Sequence, residues 1–137
     1  MNQIFVPMLA YENGVAAMEW LRDVFGMEIK EKWLDDDGRL SHGELEYLGQ
    51  RIMLAEPTPL YQNPKTVRES YPPAAESAKV PYVMNGVLIY VKDLSAVTER
   101  ALKHGGTALS KIETGFPGTR IRIEDPEGQR WFVIEME

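Results

Sequence analysis

Two periods take turns along this chain. Ile4 to Tyr11 has the spacing of a strand, and Pro7 within it, unable to donate to a ladder, predicts an edge position or a bulge. From Val15 to Phe25 the apolar residues fall on a helical stripe of Ala17, Leu21 and Val24, with Met18 and Phe25 beside it. Asn13 is suited to cap that helix and Gly26 to end it in the left-handed conformation. Strands are then expected over Met27–Leu34, Leu40–Leu48 and Arg51–Ala55, separated by the Asp35-Asp36-Asp37-Gly38 turn and a tight turn at Gly49-Gln50. The first 55 residues thus read β-α-β-β-β.

The same order returns from residue 84. Met84–Val91 alternates like a strand, Asp93 or Ser95 is placed to cap a helix reaching about His104, and Gly105-Gly106 stops it. Strands are expected over Thr107–Ile112, Thr119–Glu124 and Arg130–Met136, with turns at Gly115–Gly118 and Asp125–Gly128. Gly49-Gln50-Arg51 reappears as Gly128-Gln129-Arg130, 79 positions later; Tyr11 matches Val91 at 80 and Gly26 matches Gly105 at 79. Shared spacing at three landmarks points to duplication. The expected architecture is α+β: one domain (1–137) of two tandem βαβββ units, 1–55 and 84–137, forming a curved eight-stranded open barrel-like cleft. The segment 56–83, rich in proline and carrying Tyr61 and Tyr71, connects them. It is longer than usual for a compact domain, with a short helix expected around Thr66–Ser70.

Each helix must bury its stripe on one sheet face, which leaves the other face open. The strand period assigns Ile52, Leu54, Val87, Ile89, Val91, Ile121, Ile123, Trp131 and Val133 to the helix side. The alternate set is Val6, Met8, Met53, Leu88, Tyr90, Arg120, Arg122, Phe132 and Ile134, with His42, Glu44 and Glu46. That mixture of apolar, aromatic and charged side chains suits a small-molecule site.

Composition narrows the chemistry. Of 137 residues, 44% are hydrophobic and 26% charged, which is globular. There is no cysteine, which removes disulfides, thiolate metal sites and a cysteine nucleophile and fits a reducing, cytoplasmic setting. A net charge of -6 with scattered basic residues argues against nucleic acid as a partner. No signal peptide and no apolar run of about 18 residues is visible, so no membrane span is expected. No phosphate-binding glycine pattern and no serine elbow is present, and no cofactor is expected.

Val15–Gly26 followed by Asp37-Gly38-Arg39, His42-Gly43-Glu44-Leu45 and Arg51-Ile52-Met53-Leu54 resembles the first half of a glyoxalase/bleomycin-resistance protein. Ile121–Glu135, with Glu-Asp-Pro-Glu-Gly-Gln, resembles the close of the same fold. The resemblance is to the vicinal oxygen chelate superfamily, nearest in texture to its PhnB-like branch, and covers most of the chain outside Glu56–Pro81. Such proteins include lyases, isomerases, ring-cleaving dioxygenases, transferases and drug-sequestering proteins, so the resemblance implies fold rather than activity. Metal-using members hold a divalent ion with four His, Glu or Gln side chains. The matching positions here are Val6, Met53, Gly86 and Phe132, so the resemblance implies no metal site. It also implies a homodimer.

Individual residues keep two readings. His42 and Glu44, two apart on a strand, are a proton-transfer pair if the protein is an enzyme, or else a polar anchor or an exposed strand edge. Arg120 and Arg122 suit an oxyanion ligand, or ion pairs with Glu44, Glu46 or Glu124. Trp33, Met53, Tyr90 and Phe132, with Glu46 nearby, line a ligand pocket or belong to core or interface. His104 reads as a helix C-terminal cation, and Trp20 and Trp131 as core. The favoured function is metal-independent binding of a small apolar or aromatic molecule in the cleft, with sequestration as one biological version. Alternatives are a glyoxalase-like lyase, isomerase or transferase using His42/Glu44 as general base without the usual metal, and a structural or partner-binding protein.

Overall fold

A computed structural model describes residues 3–82 and 85–137. The chain divides into two units, Met1–Gln62 and Asn63–Glu137. The first contains β1 (Met8–Ala10), α1 (Gly14–Phe25), β2 (Glu28–Leu34), β3 (Leu40–Tyr47) and β4 (Gln50–Ala55). The second opens with two short helices, α2 (Pro64–Ser70) and α3 (Pro72–Ser77). It continues as β5 (Gly86–Val91), α4 (Leu94–Lys103), β6 (Thr107–Ala108), β7 (Arg120–Glu124) and β8 (Arg130–Glu135). Each unit carries one open four-stranded sheet, ordered β1-β4-β3-β2 in the first and β5-β8-β7-β6 in the second. In both, the first and last strands pair in parallel and the others antiparallel. The fold is α+β with two tandem βαβββ units, as the alternating periods predict.

The duplication extends to register. Met8 pairs with Met53 and Leu9 with Leu54, while Leu88 pairs with Phe132 and Ile89 with Val133. The helix starts are duplicated too. Asn13 Oδ1 accepts the Ala16 N–H at 3.1 Å, and Asp93 Oδ1 accepts the Ala96 N–H at 3.1 Å. A glutamate at the end of the last strand then reaches the first helical N–H. Glu56 Oε2 accepts from Gly14 at 3.1 Å and Glu135 Oε2 accepts from Leu94 at 2.8 Å. Gly26 (φ 76°) and Gly105 (φ 92°) end the helices in the left-handed region that glycine tolerates, and His104 is the C-terminal cap of α4.

Each helix buries its stripe on one face of its own sheet. In the first unit the core is Met18, Leu21, Val24, Leu40, Leu45 and Leu54; in the second it is Val91, Leu94, Ala101, Ile123, Trp131 and Val133. Burying a side chain of this size stabilises by about 1.5–3 kcal/mol. Trp20 is also buried, edge-on to Phe25. Glycine lets α1 approach its sheet: a methyl on Gly14 would stand 2.5 Å from Leu40 Cδ2 and 2.8 Å from Leu40 Cβ.

Besides α3, which the sequence reading did not expect, two strands and a turn differ from the sequence expectation. The first strand is confined to Met8–Ala10 rather than Ile4–Tyr11. Pro7 has no N–H, and ahead of it the Gln3 side-chain amide replaces the ladder, accepting the Arg51 N–H and donating to the Arg51 carbonyl at 3.0 Å. The strand expected over Thr107–Ile112 stops at Ala108, because the Ser110 hydroxyl takes the Arg122 N–H at 3.1 Å in place of a backbone carbonyl. The hairpin turn falls on Leu48-Gly49, with Tyr47 paired to Gln50; both turn residues have positive φ (49° and 83°), as two-residue hairpins of right-twisted strands require. The expected strand start at Met84 lies outside the described residues. Among the described residues no helix is long and apolar enough to cross a membrane.

The crowding at Gly14 gives a prediction that opposes helix propensity. Gly14→Ala should lower unfolding free energy by about 1–3 kcal/mol through overpacking against Leu40. Propensity alone would raise it by about 1 kcal/mol. Equilibrium urea unfolding of the two proteins decides between these signs.

Candidate functional site

On the helix-free face of the first unit, β2 and β3 place Trp33 opposite His42 and Glu31 opposite Glu44. The Trp33 and His42 rings lie 5.0 Å apart at 52°, and Trp33 Nε1 donates to Glu31 Oε2 at 3.1 Å. His42 Nε2 is 3.5 Å from Glu44 Oε2, while Arg51 Nη1 donates to Glu44 Oε1 at 3.1 Å. Glu44 is therefore held on one oxygen by a guanidinium and faced on the other by an imidazole. Met53 stands in register between Met8 and Glu44, and Glu46 is paired with Arg51. Trp33, His42, Glu44, Glu46 and Met53 thus share one sheet face, with Trp33 58% exposed.

The second unit has a different face on the same plan. Leu88, Phe132 and Arg122 form one row across β5, β8 and β7, and Tyr90, Ile134 and Arg120 form the next. Leu88 and Tyr90 remain about half exposed, at 48% and 49%. The Arg122 guanidinium stacks 4.0 Å from the Phe132 ring centre and 5.9 Å from that of Tyr82. Arg120 is engaged elsewhere. Its Nη1 donates to the carbonyls of Thr114, Gly115 and Gly118 at 3.1–3.3 Å, and its Nη2 lies 3.8 Å from Glu113. The arginines do not take the ion-pair partners considered from sequence: Glu44 goes to Arg51, and Glu124 goes to Arg68 and Arg130.

Glu124 anchors part of the proline-rich connection over this face. Arg68, on α2, grips it with two hydrogen bonds of 2.8 Å, and Arg130 Nε lies 3.6 Å away. Arg130 also donates to the carbonyls of Ala78 and Val80, and Asn63 Nδ2 donates to Glu127 Oε1 at 3.0 Å. The hydrogen bonds to Glu124 raise the Arg68 pKa above the usual arginine value, whereas burial lowers that of Arg130 despite the same carboxylate. The sequence reading missed this triad, as well as Arg51 and Tyr82. The recurrence of Gly-Gln-Arg marks Arg51 and Arg130 as equivalent, which was a signal; nothing local marked Arg68 or Tyr82.

A family model described as "Glyoxalase/Bleomycin resistance protein/Dioxygenase superfamily" matches residues 4–133. The chain belongs to this superfamily. No curated protein matches it. Among solved structures, this superfamily member is similar to TioX from Micromonospora sp. ML1, with 20% identity, 98% of this chain and 97% of that chain covered, and a TM-score of 0.66. It is similar to the fosfomycin resistance protein FosX from Listeria monocytogenes, with 14% identity, 100% and 93% coverage and a TM-score of 0.64. It is also similar to lactoylglutathione lyase from Agrobacterium tumefaciens, with 20% identity, 98% and 94% coverage and a TM-score of 0.60. At such identities the likeness is one of fold alone.

A divalent ion of the kind held by metal-using superfamily members does not fit the residues of this one. By the resemblance, the corresponding positions are Val6 and Met53 in the first unit and Gly86 and Phe132 in the second. Their register neighbours Met8 and Leu88 are no better donors, and a shift of one residue turns to the helix face. Among the described residues no group of three or more His, Asp or Glu side chains could hold a metal ion.

The Glu124 carboxylate is 3% exposed and Arg130 7%. Glu124→Gln should therefore cost about 3–5 kcal/mol by leaving buried Arg130 without its anion. Urea unfolding would measure the loss, and faster proteolytic nicking between residues 63 and 82 would accompany it.

Proposed function

We propose that this protein binds a small, largely apolar or aromatic molecule on the helix-free faces of its sheets, without a metal ion. The observation that carries the reading is the mixed surface built there. In the first unit exposed Met8 and Trp33 share a face with the paired Glu44, and in the second exposed Leu88 and Tyr90 share one with Arg122. Flat apolar walls with few convergent polar groups suit such a ligand. Sequestration of a toxic compound is the biological role we favour, and the fold likeness to a fosfomycin resistance protein is consistent with it. Within the superfamily we place the chain with the PhnB-like branch, on the sequence resemblance set out above. We further propose a cytoplasmic homodimer, an assembly supported by the strongly exposed Ile4, Phe5 and Phe116.

One observation favours a second reading. The His42 imidazole faces the Glu44 carboxylate at 3.5 Å, within the looser range of an acid-base pair without substrate. In that reading the protein is a glyoxalase-like lyase, isomerase or transferase, with His42 and Glu44 moving a proton.

Native mass spectrometry of protein isolated from its own host should show a dimer carrying an organic adduct and no divalent metal. Stoichiometric metal on the folded protein would overturn the metal-free reading. Incubating the extracted adduct with fresh protein separates the two functions. A binder returns it unchanged, whereas an enzyme converts it and His42→Gln does not.

A further inference from the structure

The two units carry equivalent rows with opposite charge chemistry. Glu44 stands in register with Met53, and Arg122 with Phe132, so Glu44 and Arg122 hold the same place in their units. Glu44 is already compensated by Arg51 at 3.1 Å and approached by His42. Arg122 is not. Among the described residues its guanidinium has neither a hydrogen-bond nor an ion-pair partner, while its central carbon lies over the Phe132 ring at 4.0 Å and the Tyr82 ring at 5.9 Å. Stacking leaves the N–H edges of a guanidinium available and holds the plane in place. The other cations of this face are engaged, Arg120 by loop carbonyls and Arg68 and Arg130 by Glu124.

We infer that the helix-free face of the second unit selects an aromatic monocarboxylate. The Arg122 edge donates two parallel N–H bonds to the carboxylate, and the Leu88–Phe132 row supports the flat apolar body. Carboxylate is the oxyanion that matches a guanidinium fork in one plane. A single charge is indicated because the other arginines named here, Arg120, Arg68 and Arg130, are already engaged. An unpaired guanidinium is also the feature that lets a protein of net charge -6 attract an anion here. This inference rests on the proposed small-molecule binding and narrows the class of ligand.

The test uses two isosteric probes, 1-naphthoate and 1-naphthamide, titrated into the full-length protein by NMR, with Arg122→Met and Arg122→Lys as variants. Wild-type protein should bind the carboxylate at least about tenfold more tightly than the amide, the worth of a charge-assisted bidentate contact. Arg122→Met should erase the difference while keeping amide affinity within about twofold, and Arg122→Lys should retain part of it. Equal affinity of wild-type protein for the two probes would overturn the carboxylate assignment and leave small-molecule binding standing. Binding of neither probe would overturn both. The wild-type comparison decides the matter even where a variant fails to fold.

Discussion

A carboxylate at the end of each unit's last strand fixes the start of that unit's helix, and the two faces of the sheet acquire their separate roles from that contact. Glu56 accepts the Gly14 N–H, and Glu135 accepts the Leu94 N–H. Glu56 also accepts the Leu40 N–H at 2.9 Å, so one oxygen joins helix, third strand and fourth strand. The first N–H groups of a helix have no intrahelical partner, and an anion there answers both the missing acceptor and the helix dipole. With its start fixed, each helix lies on one face, and the period of two along every strand divides core from open surface. A charge-assisted bond of about 1.5–3 kcal/mol at this junction is a sizeable share of a marginal net stability.

Duplication has kept the helix side and altered the other. Leu54 and Val133 are equivalent, buried and aliphatic, and both pair with a first-strand aliphatic, Leu9 or Ile89. On the open side Glu44 corresponds to Arg122 and Met53 to Phe132, judged by shared register with the last strand. The pair Glu46–Arg51 corresponds to Glu124–Arg130, but only in the second unit does a third residue, Arg68, arrive to close it under the connection. Packing density constrains core substitutions to similar volume, whereas a solvated face accepts a reversal of charge, so divergence collects there.

Much of this was legible in the sequence because it is encoded locally. Alternation in β4, β7 and β8 separated buried from open positions, and Asn13, Asp93, Gly26 and Gly105 marked the helix ends through their own side chains or backbone freedom. The one residue of the open set that is fully buried, Ile134, lies under the turn at Gly118, a contact the strand period cannot encode. What could not be read depends on partners distant in sequence. Gln3 replaces a strand ahead of Pro7 by bonding to Arg51, 48 residues away, and Arg68 reaches Glu124, 56 residues away. Glu56 and Glu135 fall between these cases, since their 79-residue spacing belongs to the repeat although their role appears only with the helix N-termini in place. Of the open-face arginines, only the three-dimensional contacts separate Arg120, held by its own loop, from Arg122.

The same separation bears on how this superfamily member departs from its metal-using relatives. By the resemblance, Met53, Phe132, Val6 and Gly86 stand at the positions where metal-using members carry oxygen and nitrogen ligands, and hydrocarbon, sulfur or a bare backbone offers none. A face without a metal lacks that electrophile, and any recognition there rests on shape, dispersion and side-chain charge. In the first unit that charge is internally balanced by Arg51. In the second it is concentrated on the Arg122 guanidinium over the Phe132 ring, where partial removal from water strengthens each hydrogen bond it can donate. On the proposed reading, selectivity on such a surface is set by the planarity of the ligand body and by the sign of one charge rather than by the coordination geometry of an ion.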